Sequence, residues 1–399
     1  MEFLLTSMRR IYLDNNATTE VSPTVLKAML PYYNGVFGNP SSVHSFGQEA
    51  KAALDLSRQQ VAKLLEVEPN EIVFTGGGTE SDNLAIRGII EASPGTDKHI
   101  ITSQIEHHAV LHTCQSLEKM GIEVSYLPVN RSGQVDPNDV SKAIKKNTLM
   151  ISIMHANNEI GTLQPVNEIG KIAKANEIYF HVDAIQSVGK LLVNPSNFEA
   201  DLVSLSAHKF HGPKGIGALY VKKGTRLRPM IFGGSHERNR RAGTENVPQI
   251  VGLGHAAELA LKEINTGSQS IYQLKSWFED RLLELIPETK INGINIQRLP
   301  NTTNIRFSNA EAEGLIINLD LAGVACSTGS ACTSGSIEPS HVLTALGLSP
   351  EEAFECLRFS LSKNNTREEL THVLDLLPSL VGRQREISPL GIRSYPLIS

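Results

Sequence analysis

Lys209 sits in the run Ser204-Leu205-Ser206-Ala207-His208-Lys209-Phe210-His211-Gly212-Pro213-Lys214-Gly215-Ile216-Gly217, where small polar residues separate two apolar, strand-like segments. A lysine held at a strand end suits imine chemistry, because desolvation favours the neutral amine and only that form attacks an aldehyde. Taken alone, Lys209 reads as a solvated loop lysine, the commoner fate of this residue type. Upstream residues tip the reading toward chemistry. Asp183 ends the apolar segment Ile178-Tyr179-Phe180-His181-Val182, with Gln186 three residues on. A carboxylate there suits a pyridine ring such as that of pyridoxal phosphate, whose nitrogen must stay protonated to accept electrons from a substrate carbanion, and Gln186 is placed to donate to the ring's phenolic oxygen. Without Lys209, Asp183 would read as a helix N-cap. In Phe74-Thr75-Gly76-Gly77-Gly78-Thr79-Glu80-Ser81-Asp82-Asn83, a strand-like segment runs through glycines into a helical pattern. Glycines allow close backbone approach and a helix start offers free amides, so this is a phosphate cradle by type. It lacks both the Gly-Lys-Ser/Thr ending and the Gly-x-Gly-x-x-Gly spacing of nucleotide loops. Glycine turns of this kind are common, but Ser206, His208 and the turn Gly243-Thr244-Glu245-Asn246 add further donors.

These groups need a scaffold that brings strand ends together. Strand patterns occur at 71–75, 99–103, 123–129, 149–155, 178–183, 202–206 and 217–221, with helical patterns between most of them. One helical face carries Ala50, Ala53, Leu54, Val61, Leu64 and Leu65. The alternation predicts an α/β fold with a mostly parallel, seven-stranded sheet covered by helices. A helix at 249–264 closes this part, Thr266-Gly267-Ser268 reads as an interruption after it, and Thr366-Arg367-Glu368-Glu369 reads as a capping box. From about Gly382 the polar tail is expected to have no regular structure.

Tyr12 to Thr19, Asn39 to His44, Thr75 to Asn83, Glu106 to Val110, Asn157 to Thr162, His181 to Lys190, Ser206 to Gly217 and Gly329 to Gly335 follow one another in the order in which a known family carries such segments. The chain resembles the cysteine desulfurases of the NifS/IscS group from residue 12 to about residue 370. The resemblance implies fold type I of the pyridoxal phosphate enzymes, with a large domain at 15–260 and a smaller α+β domain formed by 1–14 with 261–399. It implies that Lys209 holds the cofactor covalently, that Asp183 pairs with the ring nitrogen, that Gln186 and Asn158 surround the phenolic oxygen, and that His107 stacks on the ring and moves a proton at the substrate thiol. Gly78, Thr79, Ser206 and His208 would hold the phosphate, with Thr244 reaching in from the second subunit of a homodimer. Arg358 resembles the arginine that binds the substrate carboxylate, a group its planar guanidinium matches with two hydrogen bonds, and the resemblance implies Asn158 as a second substrate-binding residue. Outside the resemblance, His107 reads as a helix start, Asn158 as a turn former and Arg358 as a surface ion-pair residue.

Cys332 is then the expected sulfur acceptor. It lies in the small polar run Cys326-Ser327-Thr328-Gly329-Ser330-Ala331-Cys332-Thr333-Ser334-Gly335-Ser336, a composition that suits a travelling loop. Cys326 reads as a bystander rather than as a resolving thiol. The implied reaction converts L-cysteine to alanine and leaves sulfur as a persulfide on Cys332, for delivery to a protein acceptor such as an iron–sulfur scaffold or to other thio-cofactor synthesis. A selenocysteine lyase or an aminotransferase of the same fold, and a catalytically silent assembly partner, are the competing readings. The aminotransferase would need no mobile Cys332, and the silent partner would need none of Lys209, Asp183 and Cys332. Ser235, His236 and Asn239 depart from the family pattern, in which Gly, Gln and Gly are more usual.

Composition agrees with this picture. The 399 residues, 40% hydrophobic and 20% charged, suffice for a large core, and a formal net charge of -5 gives no reason to expect nucleic-acid or anionic-membrane binding. Four cysteines (Cys114, Cys326, Cys332 and Cys356) are too few for a disulfide framework and suit a cytoplasmic protein. No cysteine and histidine spacing suggests a metal site, and no apolar run is long enough to span a membrane.

Overall fold

A computed structural model of the chain describes residues 10–328 and 338–387. After a short strand β1 (Ile11–Tyr12), the chain builds a seven-stranded sheet from β2 (Ile72–Thr75), β3 (His99–Ser103), β4 (Glu123–Leu127), β5 (Thr148–Met154), β6 (Tyr179–Asp183), β7 (Leu202–Ser206) and β8 (Gly217–Val221). Their spatial order is β2-β8-β7-β6-β5-β3-β4. Neighbours from β7 to β4 are parallel, and β8 runs antiparallel to both β7 and β2. This is the expected mostly parallel α/β sheet.

Residues of β3, β7 and β8 are buried throughout, as a sheet covered on both faces requires. On one face Ile101, Ile151, Ile153, Phe180, Val182, Val203 and Leu205 pack under the helices Ser45–Leu65 and Val166–Ala175. On the other, Val73, Ile100, Met150, Leu202 and Leu219 pack under Gly78–Ala92 and His108–Glu118. The period-2 alternation of the strands sorts neighbouring residues onto the two faces.

A second core forms around an antiparallel sheet of β9 (Thr289–Asn292), β10 (Thr302–Phe307) and β12 (Cys356–Ser360), in the order β12-β10-β9; β11 (Val324–Ala325) pairs separately with β1. Phe278, Leu282, Ile305, Phe307, Leu315, Phe359 and Leu374 fill this core, joined by Ile11 and Leu13 from the chain start.

Three local expectations need correction. The helix expected at 249–264 runs unbroken from Val247 to Leu285. A glycine inside a helix costs only about 1 kcal/mol against alanine. Ile250, Leu253 and Ala257 anchor one end in the first core while Phe278 and Leu282 anchor the other in the second, and burial at both ends outweighs that local weakness. Ser268, placed in the supposed break, donates to Lys190 O at 2.5 Å. The tail is helical as far as Ile387 in the helix Arg367–Ile387, because Arg385 donates to Ser308 O and Pro287 O. The strand expected at 123–129 stops at Leu127. The capping box forms: Thr366 Oγ1 accepts from Glu369 N and the Glu369 carboxylate accepts from Thr366 N. Among the described residues no helix is long and apolar enough to cross a membrane.

Candidate active site

Parallel sheets gather functional groups beyond the carboxyl ends of their strands. Asp183 ends β6, Ser206 ends the neighbouring β7, and Lys209 closes the short 3-10 turn Ala207–Lys209 that follows. Lys209 Nζ donates to Asn16 O at 2.7 Å and to Ala17 O at 2.9 Å. Asp183 is 5% exposed and accepts from Ile185 N at 2.9 Å. Burial raises its carboxyl to about 6, against the opposing pull of the Ile185 amide and the Lys209 charge.

The glycine turn builds the neighbouring cleft. Gly77 has φ 151, outside the reach of ordinary residues, and caps the helix Gly78–Ala92 without any side-chain bond to its first amides. A Cβ on Gly78 would stand 2.4 Å from Ile185 Cδ1, and one on Gly217 would stand 2.9 Å from Gly77 Cα. Gly78, Thr79, Ser206, His208, Ala17 and Thr18 line this cleft. Among the described residues the Ser206 hydroxyl, buried there, has no partner, an unused donor of the kind an anion would engage. Burial and the Lys209 charge hold His208 down to about 4, so its ring is neutral; its Nδ1 is 3.2 Å from Thr18 Oγ1.

Other expected residues converge from separate elements. His107 caps the helix His108–Glu118, accepting from Ala109 N, and burial first, then Lys209, lowers it to about 4. A neutral ring at that position is what stacking and acceptance of a proton require. Gln186 donates to Asn16 O at 3.0 Å and accepts from Lys190 Nζ at 2.8 Å. Asn158 offers its backbone oxygen to Asn16 Nδ2 and to Arg358. Arg358, on β12, is 1% exposed, so it is no surface residue; its guanidinium meets Asp14 Oδ1 at 2.6 Å.

Two expectations stand apart from this cluster. Thr244 is exposed and does not line the cleft of its own chain. Cys332 lies outside the described residues. Cys326 is within them, and burial, with Asp14 adding to it, pushes its thiol up to about 12, which suits a bystander rather than a nucleophile. Asn239, a departure from the family pattern, has φ 63, a conformation that asparagine tolerates well in place of glycine.

Asp14, Asn16, Lys190, Asp82 and Glu106 are residues of the site or its support that chemistry-by-type does not single out. All fall inside the motif segments Tyr12 to Thr19, His181 to Lys190, Thr75 to Asn83 and Glu106 to Val110, which is the signal that could have found them. Asn16 in particular is a hub, since its carbonyl accepts from both Lys209 and Gln186 and its side chain reaches Asn158 O and Thr302.

The donor set fits pyridoxal phosphate: an amine for the aldehyde, a buried carboxylate for the ring nitrogen, and glycine amides with an orphaned hydroxyl for the phosphate. The aminotransferase class-V family model matches residues 11–373. A cysteine desulfurase IscS of Dictyoglomus turgidum is 50% identical over 381 residues, covering 96% of this chain and 97% of that protein. A cysteine desulfurase IscS of Methanosarcina thermophila is 51% identical over 394 residues, 99% and 97% of the two chains. Among solved structures, a NifS-like protein superposes with TM-score 0.88 at 39% identity over 94% of this chain and 100% of its own. A second, SspA in complex with cysteine, gives TM-score 0.80 at 39% identity over 89% and 100%. The chain therefore belongs to the aminotransferase class-V family and, within it, to the cysteine desulfurases of the NifS/IscS group.

Proposed function

We infer that this protein is a pyridoxal phosphate-dependent cysteine desulfurase, which takes sulfur from L-cysteine onto Cys332 and releases alanine. The observation that carries the reading is the convergence of Lys209, Asp183 and the orphaned Ser206 hydroxyl at adjacent strand ends, in a chain about half identical to named cysteine desulfurases. The cofactor supplies an electron sink for the substrate α-carbon. Lys209 holds the aldehyde end, then removes the α-proton of the substrate and returns one to the product. Asp183, ionised, keeps the ring nitrogen protonated. Arg358 binds the substrate carboxylate, and Asp14 fixes the guanidinium plane for it. Neutral His107 takes the thiol proton. The Cys332 thiolate attacks the substrate sulfur; the new S–S bond forms as the C–S bond breaks, leaving a persulfide. Gly78, Thr79, Ser206 and His208 hold the phosphate.

The working unit is a homodimer in which Thr244 completes the partner's cradle. Exposed Leu30, Tyr33, Phe37, Val43 and Phe46, all within one short stretch of chain and with the Phe37 and Phe46 rings in contact, support this reading, since grouped apolar side chains favour burial against a partner. Persulfide sulfur passes to a protein acceptor in iron–sulfur or other thio-cofactor assembly. We place the reaction in the cytoplasm, where free thiols such as Cys114, Cys326 and Cys356 stay reduced. Purified protein should show a visible cofactor band and form alanine and sulfide from L-cysteine in the presence of a thiol. Cys332→Ala should lose both products and keep the band. Alanine formation by that variant at the wild-type rate would defeat the reading.

A further inference from the structure

Asp82 lies in the second turn of the helix Gly78–Ala92, completely buried, and among the described residues neither of its carboxyl oxygens has a hydrogen-bond partner of normal geometry, although the Ser204 hydroxyl bears on it. Below it, His181 on β6 is fixed between two hydroxyls: Nδ1 is 2.8 Å from Ser152 Oγ on β5, and Nε2 is 2.9 Å from Ser204 Oγ on β7. His181 Nε2 is 3.6 Å from Asp82 Oδ1. Ser204 pairs directly with Asp183 across β6 and β7, and His181 is two residues before Asp183, so all of these side chains share one face of the sheet. Glu106 enters the same polar layer from the segment after β3, where its Oε1 accepts from Ser103 Oγ and Met154 N.

An ionised carboxylate in a dry interior needs several donors, and the surroundings give Asp82 none of normal geometry. A neutral carboxyl needs one acceptor. The Ser204 hydroxyl beside it supplies that acceptor while itself donating to His181 Nε2. The electrostatics agree: burial first and the charge of Asp183 second hold Asp82 well above the usual carboxylate range, with Ser204 opposing and Glu106 adding to the rise. Burial lowers His181 to about 3, so the ring is neutral and cannot serve as a counter-ion.

We propose that Asp82 is a positioning residue for Asp183: it stays a neutral acid wedged against the Ser152–His181–Ser204 chain, so that the buried acid layer leaves its negative charge on Asp183, where the cofactor's ring nitrogen meets a carboxylate. The proposal rests on the reading that the chain binds pyridoxal phosphate. Were Asp82 ionised, a second buried anion would drive Asp183 toward its protonated form, and the ring nitrogen would lose its counter-charge. The hydrogen bonds then run one way, from the Asp82 O–H to Ser204, from Ser204 to His181 Nε2, and from His181 Nδ1–H to Ser152. That order fixes the imidazole tautomer directly behind Asp183. The groups facing this layer are Asp82 from the helix, His181 and Asp183 from β6, Glu106 from the loop after β3, and Lys209 from the turn after β7.

Infrared spectra of the apo-protein at pH 7 test the protonation state without any cofactor. Wild type is expected to show a protonated-carboxyl stretch that Asp82→Asn diminishes and that Glu106→Gln does not remove in full. Retention of the whole band in Asp82→Asn would overturn the proposal. In the holoprotein, the visible band is titrated with pH and the ring nitrogen of 15N-labelled pyridoxal phosphate is followed by NMR. Asp82→Asn, neutral for neutral, should keep the wild-type titration within about 0.3 unit, whereas a move of about a unit or more would mean that a charge had been removed. Asp82→Leu, which breaks the chain at Ser204, should weaken cofactor binding roughly tenfold and shift the titration, with Asp82→Asn rescuing both. Wild-type behaviour of the leucine variant would sink the positioning role. Should that variant fail to fold, the asparagine arms decide alone. A wild-type protein with no visible band at all would instead defeat the functional reading, leaving the infrared result on Asp82 intact.

Discussion

Two buried charged regions flank the site, and they are built in opposite ways. Glu237 accepts from both guanidinium nitrogens of Arg58, at 2.6 and 2.8 Å, and from Phe74 N at 2.9 Å; Arg58 also donates to Ile72 O and lies 4.6 Å from the centre of the Phe74 ring. Every oxygen of that carboxylate has a donor. In the acid layer behind Asp183, among the described residues, neither Asp82 nor Glu106 Oε2 has a donor of normal geometry, and only the Ser204 hydroxyl bears on Asp82. Burial is similar in the two places, so burial alone does not decide charge; the supply of donors does. The clamp keeps ions and fixes geometry. It pins the loop that leads to Thr244, in which Glu237, Arg238 and Asn239 all hold positive φ of 45, 56 and 63. The acid layer gives up most of its charge and thereby tunes a single carboxylate.

The largest effect should come from breaking the clamp. Arg58→Ala leaves Glu237 buried with only the Phe74 amide, and a broken buried pair costs about 3–5 kcal/mol. Thermal or urea unfolding reads this directly. Arg58→Met with Glu237→Leu, which removes both ions, should recover much of the loss; no recovery would show that the carboxylate is not the source of the penalty.

Next in size is a pH-dependent gain in the acid layer. Burial raises Glu106 from 4.5 to about 8, partly offset by Ser103 and Met154 N. Between those pH values the folded state binds the proton more tightly than the unfolded chain, so this group's contribution is fully present below 4.5 and is lost as pH rises through about 8. Glu106→Gln keeps the two hydrogen bonds without titrating. Its stability relative to wild type should therefore climb across that window, by on the order of a few kcal/mol, and level off above it. A constant difference at all pH values would mean that Glu106 does not titrate there. The opposite limb belongs to the histidines. His107, His155 and His208 fall from 6.5 to about 4, and His181 to about 3, all mainly through burial. The unfolded chain binds more protons in that interval, so stability should fall as pH drops below 6.5.

The contrast also explains what could be read from the sequence. Sheet strands are apolar runs bounded by turn residues, and Lys209, Asp183 and the glycine turn declare their chemistry by residue type. Asp82 does not, because an acid early in a helix ordinarily reads as a partner of the helix dipole; only packing over His181 and Ser204 reveals its burial. Asn16 acts through a carbonyl, which every residue possesses. Arg358 and Asp14 are 344 positions apart, beyond any local pattern. The helix through Gly267 was hidden for a related reason, since weak local propensity is legible and the two cores that override it are not.

The Asp14–Arg358 pair is intermediate between the clamp and the acid layer, with side-chain exposures of 17% and 2%. If Asp14 acts as the clamp does, fixing the guanidinium for its next partner, Asp14→Asn should raise KM for L-cysteine roughly tenfold, about 1.4 kcal/mol, with little change in kcat. A fall in KM would mean that Asp14 competes with the substrate carboxylate, which would make it an anion tolerated at the site rather than a support. The smallest effect should be at Asn239. Glycine relieves the penalty of a left-handed residue there, and Asn239→Gly should stabilise by less than about 1 kcal/mol, because glycine also gains entropy in the unfolded chain. The sign matters more than the size. A loss of stability would show that the Asn239 side chain, and not only its backbone, helps the clamp to hold the loop before Thr244.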